Sequence, residues 1–209
     1  MTELSPALVR RLPQYFRILI KFYGSGKERI SSEELASELD LVPSQVRTDL
    51  KALGCVGQRS YGYGIPALYK KITDILQLSD KFSAVIVGAS GMIKAIADTE
   101  VFTKRGIKLC AVFSDDEGSW DESPAYSVHP FDFFEEYLLS SSPSIILLGG
   151  SPASASGALA IAEKMQTDAP VIWNFTHSPL YSDKITVKNI HLSDCLMLLC
   201  YEMGKDAKE

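Results

Sequence analysis

Residues 31–53, SSEELASELDLVPSQVRTDLKAL, constrain this chain more than any other stretch. Ser31 and Glu34 have the spacing of a capping box, in which each side chain satisfies the other residue's backbone N–H, so a helix starts at Ser31. Leu35, Ala36 and Leu39 give that helix one apolar face. Asp40 and Leu41 make a tight turn, and Pro43 suits the first turn of the next helix, where its missing N–H costs nothing. In the second helix Val46, Leu50 and Leu53 face inward, while Gln45, Arg47, Thr48 and Lys51 face outward. Two short helices joined by a short turn, the second polar on its outer side, make a helix-turn-helix. Gly54 ends the second helix, and the glycine-bearing CVGQRSYGYG that follows predicts an exposed hairpin, or wing. A helix of this kind is narrow enough for a DNA major groove, and the wing brings Arg59 to the minor groove or the backbone. The candidate DNA contacts are Gln45, Arg47, Thr48, Lys51, Arg59 and Tyr61.

The net charge of −5 argues against DNA binding only if the chain is taken whole. Residues 1–71 carry 11 Lys and Arg against 7 Asp and Glu, and residues 72–209 carry 10 against 19. Attraction to phosphate is local and screened within ~10 Å, so a positive head on an acidic body fits a DNA-binding domain joined to a regulatory one. Cys55, Cys110, Cys195 and Cys200 form no CxxC pair and have no metal-ligand spacing with the three histidines, and their apolar neighbours predict buried thiols in a reducing compartment. With no signal peptide or long uncharged apolar run, the expected protein is soluble and cytoplasmic.

Residues 5–23 have a helical stripe of Leu8, Leu12, Tyr15, Ile18, Leu19 and Phe22, capped by Ser5 and started by Pro6, with Pro13 expected to kink the helix or divide it in two. Residues 66–78 are expected to form another amphipathic helix. At Phe82 the pattern changes. FSAVIVG, KLCAVFSD, SIILLGG and APVIWNF predict strands, and residues 92–102, 131–139 and 153–165 predict helices between them. Such alternation implies a doubly wound parallel sheet, and the unbroken runs AVIV and IILL fit strands buried on both sides. LSDCLMLLCYEM predicts a final helix too apolar to be left exposed. The expected domains are residues 1–80, 81–190 and a C-terminal dimerisation helix and tail, 191–209.

The first strand of this sheet runs into Gly88-Ala89-Ser90-Gly91-Met92-Ile93-Lys94. A strand, a glycine turn and a helix N-terminus form a natural anion site, because free N–H groups and the helix dipole point at one spot. The dinucleotide fingerprint GxGxxG is partial here, with Ser90 in the second position and Ile93, a branched side chain that would crowd helix against strand, in the third. The turn also fits GxxGxx, with Lys94 in the last position. The ribose-binding acid belongs directly after Phe113, where Ser114 stands, followed by Asp115 and Asp116. Ser151-Pro152 and Asn174 lie at the same edge of the sheet, where ligands bind in such folds. The cofactor-binding candidates are therefore Gly88, Ala89, Ser90, Gly91, Met92, Ile93, Ser114, Asp115, Ser151, Pro152 and Asn174, for a ligand of the dinucleotide class. His129, His177 and His191 are scattered, with no nucleophile nearby in sequence, and neither a catalytic nor a metal-binding set is expected.

The whole chain resembles Rex, the bacterial redox-sensing transcriptional repressor family. Arg11-Leu12-Pro13-Gln14-Tyr15-Phe16-Arg17 is similar to that family's RLPxYYR, Ser31-Ser32-Glu33-Glu34-Leu35-Ala36 to SSxELA, and Gln45-Val46-Arg47-Thr48-Asp49-Leu50 to QVRKDL. Gly57 to Tyr63 is similar to GKRGxGY, Asn174-Phe175 to the start of NFAP, and Ser151-Pro152-Ala153 to VPA. The resemblance implies a winged-helix domain, a Rossmann-like domain that binds NADH or NAD⁺, and a C-terminal helix swapped between the subunits of a homodimer that NADH releases from operator DNA. The chain departs from the family at Ser90, Ile93 and Ser114, and His191 stands where the family has an acid before the last helix. The expected function is a DNA-binding repressor modulated by NADH/NAD⁺. The alternative is a related DNA-binding protein whose second domain takes another ligand or none. An NAD-dependent enzyme is disfavoured by the missing glycines, acid and catalytic set.

Overall fold

The computed structural model describes residues 4–57, 61–78, 82–88, 91–97, 102, 106–115, 125–165 and 169–206. The chain divides into two units, Met1–Asp80 and Lys81–Glu209.

The first unit packs helices α1 (Pro6–Gly24), α2 (Ser32–Leu39), α3 (Pro43–Ala52) and α4 (Ile65–Ile75) with strands β1 (Arg29–Ile30) and β2 (Tyr63–Gly64). Both halves of the capping box form at α2, with Glu34 N–H on Ser31 Oγ and Ser31 N–H on the Glu34 carboxylate. Asp40 closes α2 in the left-handed conformation and Pro43 opens α3. Leu12, Leu19, Leu35, Val46, Leu50, Ile65, Leu68 and Ile72 make one core. Pro13 lies inside α1 but does not divide it, because the buried stripe from Leu8 to Leu19 holds both sides of it to the core. The hairpin expected after α3 falls partly outside the described residues. Tyr63–Gly64 pairs antiparallel with Arg29–Ile30, upstream of α2, and residues 58–60, with Arg59, lie outside the described residues.

A charged group sits inside this unit. The Asp49 carboxylate on α3 is 3% exposed and accepts from Arg11 Nε at 2.8 Å, Arg11 Nη2 at 2.7 Å, Tyr15 Oη at 3.1 Å and Gln45 Nε2 at 2.8 Å. Burial opposes its ionisation, and the hydrogen bonds from Arg11, Gln45 and Tyr15 outweigh burial, so the carboxyl is held below its ordinary range. Burial, and then the Asp49 charge, push the Tyr15 phenol upward.

The second unit is a six-stranded sheet in the order β5-β4-β3-β6-β7-β8, every neighbouring pair parallel. Its strands are β3 (Phe82–Val87), β4 (Ile107–Ser114), β5 (Ser127–Pro130), β6 (Ile145–Leu148), β7 (Val171–Asn174) and β8 (Val187–Asn189). Strand residues alternate between faces. Val85, Val87, Phe113, Ile146 and Leu148 pack under α6 (Phe134–Ser141) and α7 (Pro152–Ala162), and Ala84, Ile86, Val112 and Leu147 under α5 (Gly91–Ala97). The edge strands β5 and β8 are additions to the sequence reading. The last helix, α8 (Leu192–Asp206), has Leu192, Leu196, Met197, Leu198, Leu199, Tyr201 and Met203 all more than half exposed. The cysteines correct the expectation of buried thiols. Cys55 and Cys110 are half-buried, and Cys195 and Cys200 are exposed, because they ride on α8. Among the described residues no helix is long and apolar enough to cross a membrane.

Arg11→Ala leaves Asp49 buried against neutral donors, so urea denaturation of the variant is expected to show a loss of ~3 kcal/mol. Because the folded carboxyl is depressed, its contribution is complete above the ordinary aspartate value of ~3.9 and disappears as pH falls through the lower folded value. Acid titration monitored by circular dichroism should therefore show a stability loss below pH ~4 that Asp49→Asn lacks.

Candidate DNA interface and nucleotide crevice

Two surfaces bring candidate residues together, one in each unit. On the first, Arg47, Thr48 and Lys51 lie exposed along the outer side of α3. Arg47 Nη1 donates to Glu33 Oε1 at 3.1 Å and Ser32 Oγ at 3.2 Å, and Thr48 Oγ1 donates back to the Ser44 carbonyl at 3.0 Å. Tyr61 is 69% exposed, and Arg29 is tied to it by a 2.9 Å bond to its carbonyl and by its guanidinium 5.7 Å from the ring. Gln45 differs from expectation. It is half-buried and spends its amide N–H on Asp49, so it braces α3 rather than facing outward. Sequence reading missed Arg29, Ser32 and Glu33, which line the same cleft as Arg47, Gly57 and Tyr61. The serine and glutamate entered the sequence reading only within the stretch similar to SSxELA.

On the second surface, the order β4-β3-β6 puts the point where the winding reverses between β3 and β6. Ligands of open parallel sheets bind there, outside the carboxyl ends of the strands. Gly88 follows β3 with φ +96°, and a Cβ on it would run into the Gly150 backbone. The two chain segments are thus bare and closely apposed. Gly149 is equally constrained, because the fully buried Ile93 side chain occupies the space its Cβ would need. This corrects the expectation of crowding at Ile93. The branched side chain that replaces the third fingerprint glycine is accommodated by a glycine on the neighbouring strand's loop. Gly91 begins α5, Met92 is half-buried beside it, and Ala89 and Ser90 lie outside the described residues.

Ser114 ends β4, half-buried and in register with Pro130. Asp115 turns across the crevice, and its Oδ2 accepts from the Ser151 N–H at 3.2 Å. Burial raises the Asp115 carboxyl, but hydrogen bonds from Ser154 and Ser151 prevail and hold it below its ordinary range. Ser151 caps α7, its Oγ accepting from Ser154 N–H at 3.1 Å, and Pro152 occupies the first helical position. Asn174 has a different task from the one expected. It is fully buried, donating to Ser178 O and Asn189 Oδ1 and accepting from Thr176 N and Oγ1, so its side chain locks the loop after β7 and is spent there. His177 is exposed, and His129 stacks on Phe113 at 5.5 Å between ring centroids. Among the described residues no cluster of His, Cys, Asp and Glu could hold a metal.

Residues 3–51 match the family model described as "Putative DNA-binding protein N-terminus". The redox-sensing transcriptional repressor Rex of Clostridium novyi (strain NT) is 31% identical over 209 residues, 95% of each chain. That of Thermoanaerobacter pseudethanolicus is 30% identical over 98% of this chain and 92% of its own. Among solved structures, RSP, a Rex-family repressor, in complex with β-NAD⁺ and operator DNA matches with TM-score 0.87 and 30% identity, covering 99% of this chain and 95% of that one. RSP in complex with β-NADH matches with TM-score 0.82 and 28% identity, covering 99% and 97%. A helix-turn-helix of α2 and α3, a six-stranded parallel sheet whose winding reverses between β3 and β6, and these full-length relatives agree: the chain belongs to the Rex family of redox-sensing transcriptional repressors.

Proposed function

We propose that the protein is a homodimeric repressor that reads operator DNA with α3 and the segment after it, and whose DNA affinity is set by NAD(H) bound between β3 and β6. The observation that carries this reading is the likeness of one continuous chain, over 99% of its length, to a relative solved with both NAD⁺ and operator DNA. Its role is regulatory rather than enzymatic, and its place is the cytoplasm, where DNA and pyridine nucleotides meet.

Arg47 and Arg59 are assigned to base edges or the minor groove, Lys51 and Thr48 to phosphates, and Tyr61 to the backbone beside the wing. Gln45 is assigned to positioning α3 through Asp49. The sheet reversal fits a dinucleotide in one respect: Gly88 and Gly150 touch backbone to backbone, so neither puts a side chain in the way of a pyrophosphate approaching the α5 N-terminus. When bound, the nicotinamide supplies a redox-dependent charge. Gly88 and Gly91 shape the turn beneath the phosphates, Ser114 faces the ribose, and Asp115 leaves Ser151 to make room or turns to a ribose hydroxyl. The alternative, another ligand or none, is favoured by one observation: the Asp115 carboxylate already engages the α7 N-terminus inside the crevice.

Three experiments check this reading. In gel-shift titration on a selected operator, Arg47→Ala is expected to cost ~1–3 kcal/mol and relax sequence preference, and Lys51→Ala to weaken all duplexes alike with a salt slope smaller by ~1. Unchanged affinity in both variants removes α3 from the interface. Removing residues 191–209 takes away an apolar helix exposed on every side, so light scattering should show monomers. In calorimetry the wild type should bind NADH with little preference over NADPH, and Ser114→Asp should tighten NADH by ~10- to 100-fold, the worth of one charge-assisted hydrogen bond. Binding of neither cofactor to either protein would favour the alternative.

A further inference from the structure

The DNA-reading cleft holds a carboxylate where electrostatics alone would not put one. The cleft, about 750 Å³, is lined by the first turn of α2, by Arg47 of α3 and by Arg29, Tyr61 and Gly57. Glu33 stands on that first turn with 64% of its side chain exposed, facing Arg47, which is 53% exposed. Their pair is 3.1 Å, and Ser32 Oγ lies 3.2 Å from the same guanidinium and 3.2 Å from both Glu33 oxygens. Ser32 is only 7% exposed, so it is a fixed post for the pair. The helix-start role that would explain a lone acid here is already filled by Glu34, which completes the capping box.

We propose that Glu33 is a specificity-determining residue for DNA: with Ser32 it holds the Arg47 guanidinium on the cleft and away from phosphates. This rests on the reading that α3 enters the groove. Contacts to phosphate strengthen binding to every sequence, whereas contacts to base edges separate one sequence from another. Specificity is a difference of two affinities, and it grows when the common part is weakened. A guanidinium already satisfied by a carboxylate gains little from an unrelated duplex. On a site that presents a guanine, the forked donors of Arg47 take the base edge, and the Glu33 carboxylate remains as a neighbour.

The test measures affinity for a selected operator and for random duplex, each across a salt series, with wild type, Glu33→Gln, Arg47→Ala and the double variant. Exposed ion pairs contribute little to stability, so the thermal midpoint of Glu33→Gln should stay near wild type. Freeing one cation for phosphate releases about one more counterion, so Glu33→Gln should bind random duplex ~3- to 10-fold more tightly at ~0.1 M salt, with a salt slope steeper by ~1. Operator affinity should change less, so the ratio of the two falls. In the Arg47→Ala background the same substitution should change nothing. A random-duplex gain that persists without Arg47 would mean plain charge repulsion and overturn the proposal. Weaker operator binding with random binding unchanged would make Glu33 a base reader, which also overturns it. An unaltered ratio and slope overturn it while the DNA-reading assignment stands. A wild type that selects no sequence removes that assignment and the proposal together.

Discussion

The Asp49 carboxylate is the point on which the DNA-binding half is built. An ionised group that is 3% exposed is tolerated only because donors from two helices surround it, two from the Arg11 guanidinium and one each from Tyr15 and Gln45. Apolar contacts among Leu12, Leu19, Val46 and Leu50 bring α1 and α3 together without fixing how one is rotated against the other. The forked Arg11 bond fixes it, because two parallel N–H donors meet two oxygens in a single geometry. The outward face that carries Arg47, Thr48 and Lys51 inherits its aim from that bond. The similarity to RLPxYYR and QVRKDL thus contains a structural pairing as well as the surface proposed to read DNA.

The other half depends on bare backbone. At the reversal of the sheet, Gly88 and Gly150 approach so closely that neither admits a side chain, and Gly149 yields its space to Ile93. The degraded fingerprint is therefore a redistribution. A glycine expected on α5 is replaced by isoleucine, and the loop after β6 supplies the missing room. Charge has also moved, with Ser114 at the end of β4 and Asp115 one residue on, its carboxylate on Ser151. A ligand alters DNA binding only through different affinities for the forms that do and do not bind operator, and any such coupling is reciprocal.

What was legible in the sequence was local. The capping box, Asp40 and Pro43 marked the ends of α2 and α3 because capping is decided within four residues. The runs AVIV and IILL announced central strands because burial on both faces leaves no polar position. Edge strands such as SVHP and VKN carry no such run and went unread. Long-range partners were hidden as well. Arg11 and Asp49 are 38 residues apart, and nothing near Gln45 told that its amide would turn inward. Asn174 sat at the right edge of the sheet but was consumed by Thr176, Ser178 and Asn189. Ile93 was misjudged because its fit depends on Gly149, in another strand's loop.

The central claim is that a dinucleotide in the crevice controls operator binding. Fluorescence anisotropy of the full-length protein on its selected operator, titrated in parallel with NADH and NAD⁺, tests it most directly. The account predicts that NADH lowers operator affinity and that NAD⁺ at the same concentration leaves it in place. Operator affinity that responds to neither nucleotide, at concentrations well above those expected to fill the site, would contradict it.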